Sequence, residues 1–556
     1  MRLPQSLRTG YYQLARMTSR SALHTLAKIW FNGIFYSRTL VGRRPRQLEF
    51  TAQNPWPGDA KRGAELFRGE FCFAGHVETA PGALWRPRTA PVEWLAELHS
   101  FGWLADLHAV GGEAARSRAR DLIESWIESE SRWRTLTWRP DVTATRLINW
   151  LSHAEFLFAG VEGPEAARWL DHVARQGRHL RRLAPLMDSG FDRILVIKAL
   201  IYAGICLPSE ARRLVRWMEA LSSEIELQVA GDGGHISRSP AVHFALFRHL
   251  VDLRIMLREA HTEVPVALQN AIDRMAPMVR FHRHGDGGLC LFNDSNEGEN
   301  WLIDIVLTQA EARGKPLDSA PHTGFERIAI NRTLVMMDVG AVAPPGSDKH
   351  AHAGALSFEM SVGKHRMIVN CGAHAGAHQD WKAVQRTTAA HSTVTIDDIN
   401  SAELLPYAIV GIRPLSVGAT RRDSNGNVWI DSEIDGYAGF SRMIHRRRLY
   451  LAANGGDLRG EDSLAGAGQR KFAVRFHLHP TVTASLAQDG ESVLLRLGDG
   501  GGWRFRASGG ATGLQESVYL GLEGETRRTN QIVVSGAALD GEALVKWAIT
   551  QTNNPS

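Results

Sequence analysis

The stretch His350-Ala351-His352-Ala353-Gly354-Ala355-Leu356-Ser357-Phe358-Glu359 marks the point where the chain changes from helical to β texture, and it carries the densest set of reactive side chains. On a strand, residues two apart point the same way, so this spacing lets His350 and His352 converge on one site. Just downstream, Leu356–Val362 and Arg366–Val369 read as two strands joined at Gly363-Lys364. His391 to Ile396, Arg446 to Ala452 and Val493 to Leu497 continue the alternation. Asn454-Gly455-Gly456 and Asp499-Gly500-Gly501-Gly502 supply strong turn signals. Many short strands without intervening helices predict antiparallel sheets arranged as a sandwich.

Upstream, from about residue 50 to 310, the period is helical. Ala211 to Val229 sets Leu214, Trp217, Met218, Leu221 and Ile225 along one face. Asp192 to Leu207 is apolar on a broader surface, as for a helix buried on most sides. Pro91–His108, Ala114–Ser129, Thr143–Ala159, Glu165–Leu183 and Ala241–Glu259 repeat the amphipathic pattern, separated by Gly, Pro and Asp. Short connections between such helices predict hairpins packed side by side. The organisation expected is a basic arm over residues 1–47, a helical domain over 48–315 and a β-domain over 316–556. Twelve of the sixteen tryptophans lie at or before Trp301, where most fill helix crossings. Trp85, Trp94, Trp103 and Trp138, in or near loops, are candidates to stack on sugar rings.

The 556 residues are 44% hydrophobic and 22% charged, a globular balance that excludes a disordered chain. Cys72, Cys206, Cys290 and Cys371 are too scattered for a disulfide framework or a zinc finger, so buried, inert thiols are expected. Met1 to Gln47 holds nine Arg and Lys and no acid, and lacks the apolar core of a secretory signal. Its longest apolar run, around Ile29 to Tyr36, is too short to span a bilayer, and no transmembrane segment is predicted. The segment reads as a partly ordered basic arm, with membrane-surface contact or targeting as alternatives. The net charge of +5 and pI near 9.1 favour a polyanionic partner. No interleaved aromatic and basic motif points to nucleic acid.

A second cluster is Asp232-Gly233-Gly234-His235-Ile236-Ser237-Arg238-Ser239-Pro240-Ala241-Val242-His243, in the loop between two helices. His235, Arg238 and His243 are candidates to meet an acidic ligand, Arg238 through a two-pronged carboxylate contact. The other reading of this loop is local: glycines for turn dihedrals, Ser239 as N-cap and Pro240 at the first helical position. His350, His352, Asn370 and His391 have their own pair of readings. Two histidines with a later histidine and an oxygen ligand compose a zinc site, or the histidines are a hydrogen-bonded pair inside a sheet.

These motifs, in this order, resemble those of the heparinase II/III-like polysaccharide lyases. The His350-to-Glu359 stretch, Asn370-Cys371-Gly372 and Ala390-His391-Ser392-Thr393 are similar to that family's C-terminal signature. The Asp232-to-His243 loop, Arg146-Leu147-Ile148-Asn149-Trp150 and the Trp94…Trp103-Leu104 region are similar to its helical half. The resemblance covers most of residues 80 to 550. It implies an incomplete (α/α) toroid followed by an antiparallel β-sandwich, and β-elimination at a uronic acid of an acidic polysaccharide or oligosaccharide. There a base takes the proton α to the carboxylate, an acid assists the departing oxygen, and a neutralising group holds the carboxylate.

By the same resemblance, His350 is the sandwich histidine, and His352, Asn370 and His391 fall at metal-ligand positions of zinc-bearing members. Asn370 stands where an acid is usual, which predicts a weak or absent zinc site. The Asn-His position falls on Phe191-Asp192 and the Tyr position on Val242. The proton shuttle must then come from His350, His243 or His235. Arg238, Asp192, Arg146, Asn149, Trp103 and Arg386 are the candidates to hold substrate. The leading expectation is a polysaccharide lyase acting on a uronate-containing glycan. The alternative is a catalytically impaired glycan-binding or envelope-assembly protein of the same fold. A third reading, a toroid glycosidase, needs two facing carboxylates drawn from Asp192, Asp232 and Asp286. Family members often work in the periplasm, whereas no export signal is legible here.

Overall fold

The computed structural model describes residues 30–31, 35–79, 84–158, 161, 163–373, 379–414, 416–437, 443–488 and 490–552. Most of the basic arm expected over 1–47 lies outside these. No helix among the described residues is long and apolar enough to cross a membrane.

The chain divides into two compact units. One comprises Met1–Glu224 and Ile255–Glu263, the other Ile225–Arg254 and Val264–Ser556. The first is helical, with Val92–Ser100, Gly112–Glu130, Pro140–Ser152, Pro164–Leu183 and Phe191–Cys206 as its longer early helices. Pro140 and Pro164 open their helices at positions where a missing N–H costs nothing. Phe191–Cys206 is buried from Ile194 to Gly204, matching its all-round apolar sequence. A short hairpin, Glu70–Phe73 paired with His76–Thr79, interrupts the helices and was not expected from the sequence.

Trp85, Trp94, Trp103 and Trp138 are all buried. Each indole N–H donates inside this unit: Trp85 to Ser125 Oγ, Trp94 to the Phe71 carbonyl, Trp103 to that of Leu98 and Trp138 to that of Glu130. The proposed sugar-stacking rings are core rings, because aromatic bulk gains more from packing than from exposure.

The second unit holds two antiparallel sheets. Among the described residues, a nine-stranded sheet runs Ala511–Tyr519, Arg527–Ala538, Arg470–Leu478, His365–Val369, Phe358–Val362, Thr333–Asp338, Phe325–Ile330, Ser319–Ala320, with Val394–Ile396 pairing Arg470–Leu478 off this path. An eight-stranded sheet runs Thr483–Leu486, Ser492–Arg496, Gly502–Ser508, Glu542–Gln551, Asp457–Ala465, Ile444–Leu451, Asn427–Ile434, Val417–Ser424. Their inner faces share one core, in which Phe358, Val474 and Phe476 meet Leu449, Trp503, Phe505 and Ile549. The nine-stranded sheet is covered on its other face too. Leu334 and Met336 pack with Met278, Phe281 and Phe292, while their neighbours Val335 and Met337 face the sandwich. The expected boundary at 315/316 therefore falls inside this unit, since residues from the last helices and from the strands share that small core.

Two runs of ionisable residues, Arg446-Arg447-Arg448 and His477-Leu478-His479, each turn one such side chain inward. Arg447 is fully buried, unlike Arg446 and Arg448 on either side. Its Nε donates to Asp462 Oδ1 at 2.7 Å, and its Nη1 donates to the Leu356 and Ser392 carbonyls. His477 is also buried, held by Ser517 Oγ at 2.8 Å and the Ala389 carbonyl at 3.0 Å.

Candidate functional site

A single turn, Asn293-Asp294, organises the polar cluster of the second unit. Both residues are left-handed, with φ of 47° and 60°, a conformation that Asn and Asp tolerate better than most. Asn293 Oδ1 accepts the His352 N–H at 3.2 Å, and its Nδ2 donates to the Arg238 carbonyl at 3.1 Å. Asp294 Oδ2 lies 2.7 Å from His350 Nδ1, with both side chains about one-third exposed. The carboxylate accepts the Nδ1–H and so orients the ring, leaving Nε2 to face a ligand, with its lone pair as a base or with an N–H as a donor. Burial would raise the Asp294 carboxyl, but the His350 hydrogen bond and the nearby His352, His350 and Arg386 hold it below its usual value. The sequence reading missed Asp294. The only signal was its place in Asn293-Asp294-Ser295, a run suited to a left-handed turn.

Behind this dyad the two other histidines form a chain. His391 Nδ1 is 2.7 Å from the Thr387 carbonyl, which fixes its proton there and leaves Nε2 as an acceptor. His352 Nδ1 donates to that Nε2 at 3.2 Å, and the buried His352 Nε2 has no partner among the described residues. Burial lowers both rings, His391 to about 4 and His352 well below 6.5, so both are neutral at pH 7. Asn370 Nδ2 donates to Glu359 Oε1 at 3.0 Å and its Oδ1 accepts the Ser392 N–H. Zinc needs three or four free donors converging on one point. His391 Nε2 is spent on His352 and Asn370 on Glu359 and Ser392. Among the described residues no group of three His, Cys, Asp or Glu is placed to hold a metal. This donor set does not fit zinc, and no step is built on it.

Two family descriptions match the chain: Heparinase II/III N-terminus over residues 88–312, and Heparinase II/III-like, C-terminal over 312–548. The chain is 30% identical over 576 residues to FtsZ-localized protein C of Caulobacter vibrioides, covering 99% of this chain and 97% of the other. The chain belongs to the heparinase II/III-like family. A crystal structure of heparinase III superposes with a TM-score of 0.73 at 14% identity, over 93% of this chain and 88% of that one. A heparan sulfate lyase, HepC from Pedobacter heparinus, gives 0.59 at 16% identity, over 94% and 88%.

For this heparinase II/III-like chain, the remaining sequence candidates separate by burial. His235 is buried, its Nε2 donating to Gln228 Oε1 at 3.2 Å while Nδ1 accepts from Ser237, and burial lowers its pKa to about 3. His243 is buried too. Its Nε2 donates to the Met275 carbonyl at 3.2 Å, and burial lowers it to about 4. Arg238 donates to the Thr323 and Gly324 carbonyls and to Asp338, with Phe325 beneath its guanidinium. It braces the loop rather than facing a ligand. Ser239 behaves as the N-cap, its Oγ accepting the Val242 N–H ahead of the helix Pro240–Glu259. Arg386 is part-buried, its Nε on the Ala351 carbonyl and its Nη2 without a partner among the described residues.

In the first unit, Arg146 is buried over the Trp126 ring, donating to Gln176 and to the His99 and Thr137 carbonyls. Asn149 Nδ2 donates to the Ser100 carbonyl. Both, with Trp103, are parts of the helix packing, whereas Asp192 is exposed in the first turn of Phe191–Cys206. In the second unit Asp232 accepts from Gly234 and Thr323, and Asp286 from Arg366, so neither carboxylate is free to serve as half of a hydrolytic pair.

Proposed function

We propose that this chain is an acidic-glycan-binding protein of the cell envelope, with His350 and Asp294 at the centre of its binding site. One observation carries this reading. Of His350, His243, His235 and Arg238, the last three are buried in the scaffold, and His350 is the one of the four whose ring is part-exposed with a nitrogen that makes no hydrogen bond among the described residues. β-Elimination asks for a base, an acid and a group to neutralise the uronate carboxylate, whereas His350 donating from Nε2, together with the part-buried Arg386, suits holding that carboxylate. The relative from Caulobacter vibrioides is named for localising with FtsZ, and we place this chain in the same division-linked setting. Isothermal titration with polygalacturonate and heparin tests it: saturable binding that His350→Ala weakens is expected, and binding indifferent to His350→Ala refutes it.

The Asp294–His350 dyad favours one further reading, a lyase in which His350 plays both roles. Nε2 would take the C5 proton, the C4–O bond would break as the C4=C5 bond forms, and the imidazolium would return the proton to the departing oxygen. Unsaturated uronate ends, read by ultraviolet absorbance and abolished in His350→Ala, would establish it. Silence from folded wild-type protein across a uronate panel removes it.

A further inference from the structure

The outward face of the eight-stranded sheet carries a row of side chains that the site above does not use. Strand register puts Arg422 opposite Trp429, Trp429 opposite Tyr450 and Tyr450 opposite Arg459. The row continues through Ala548 to Arg506. The side chains along it touch: Arg422 sits 4.9 Å from the Trp429 ring centre, the Trp429 and Tyr450 rings are 5.0 Å apart, and Arg459 lies 5.9 Å from Tyr450. Cations held on ring faces this way are pre-positioned with their charge still in water.

Beyond Tyr450 the row opens into a groove of about 590 Å³. Ala548 is its low point, between Arg459 and Arg506. Its walls carry four cations, Arg448, Arg459, Arg506 and Lys546, against one acid, Glu461. Glu461 is shared at 3.9 Å with Arg448 and 3.6 Å with Lys546, Arg448 also pairs with Asp431, and Arg459 leans on Asp457 from outside the groove. Arg506 has no ion pair among the described residues. The excess of positive charge selects an anion. The adjoining aromatic ledge and shallow floor suit the flat faces of sugar rings better than the side chains of a peptide, which need a deep apolar hole.

We propose that this face is a second binding surface, for an acidic glycan chain, separate from the His350 site. His350 and Asp294 lie in loops outside both sheets, whereas this face belongs to the eight-stranded sheet, so a long polymer held at both points gains from effective concentration.

The test uses the full chain in the His350→Ala background, so that the outer face reports alone, with polygalacturonate as probe and polyglutamate as comparator at low ionic strength. Residual polygalacturonate binding is expected, weakened about tenfold by Arg459→Ala with Arg506→Ala. Tyr450→Ala should weaken the glycan and leave polyglutamate unchanged. All three residues lie outside the core, and unchanged melting curves verify that the variants fold. Complete loss of binding in His350→Ala alone overturns this proposal and leaves the His350 reading standing. Equal binding of both polymers, with Tyr450→Ala without effect on either, makes the face a docking site for acidic protein and overturns the glycan assignment.

Discussion

Replacing Asp462 by alanine should destabilise the sandwich by about 4 kcal/mol, because this carboxylate is a shared acceptor in a fully buried cluster. It accepts from Arg447 Nε at 2.7 Å and Nη2 at 3.1 Å, from His445 Nε2 at 2.7 Å and from Trp547 Nε1 at 2.8 Å. Asp462→Ala leaves the Arg447 guanidinium buried with two backbone carbonyls and no counter-charge. Breaking one side of such a pair costs roughly 3–5 kcal/mol, and the stranded indole and imidazole donors keep the cost from falling lower. A control lies on the adjacent strand. Arg448 and Asp431 also pair across strands, but both are exposed, so Asp431→Ala should cost about 0–1 kcal/mol. Urea unfolding, with hydrogen exchange localised to Ile444–Leu451, measures both. Equal losses in the two variants, or less than about 1 kcal/mol for Asp462→Ala, would refute the reasoning. The pH dependence has a definite sign. Burial raises the Asp462 carboxyl, but Arg447 and His445 outweigh it and leave its pKa well below the ordinary value. A depressed folded pKa contributes stability that is fully present above the unfolded value of about 3.9 and is lost as the pH falls below it. Wild type should therefore lose stability below about pH 4 more steeply than Asp462→Asn.

Asp294→Asn keeps the shape of the dyad but removes its charge. A charge-assisted hydrogen bond is worth about 1.5–3 kcal/mol, so polygalacturonate binding at the His350 site should weaken roughly tenfold or more, and titration at wild-type affinity would count against the site. Gly354→Ala puts a Cβ 2.6 Å from Cδ2 of the His391 ring. Overpacking of that kind costs about 1–3 kcal/mol, and an unchanged urea midpoint would show that the ring gives way freely. Cys72 is exposed while Cys206, Cys290 and Cys371 are buried, with burial raising their thiols, Cys206 and Cys371 to about 12. A thiol reagent on native protein should label one cysteine quickly, and a second fast equivalent would contradict the burial.

The fold was legible wherever period and punctuation agreed. Leu214–Gln228 and Phe191–Cys206 lie within a few residues of their amphipathic and all-apolar runs, and the hairpin of Phe358–Val362 with His365–Val369 turns at Gly363-Lys364 as its glycine suggests. The same two-residue period should have placed Arg447 inward, since a strand that exposes Arg446 and Arg448 must bury the residue between them. Charge argued the other way, and only the partner Asp462, on the neighbouring strand, reconciles the two. The candidate site was half legible. His350, His352 and His391 do gather, but Asp294 lies 56 residues before His350 and nothing local announces the pairing. Arg238, His235 and His243 looked reactive for the same composition that makes a good buried loop brace, and sequence does not separate those uses.

The division of the chain into interleaved units also bears on inheritance. The β half is fastened to the segment before it by Asp232 on Thr323, Arg238 on Asp338, His284 on Glu359, Asp286 on Arg366 and Asp294 on His350. Each fastening crosses residue 312, where the two family descriptions meet. A gene fragment cut at that junction would carry every strand of the two large sheets yet forfeit the partners of its own buried charges. Recombination could not trade this sandwich between lineages without taking along residues 232–294, so the two halves are expected to descend together and to tolerate fusion or permutation only elsewhere.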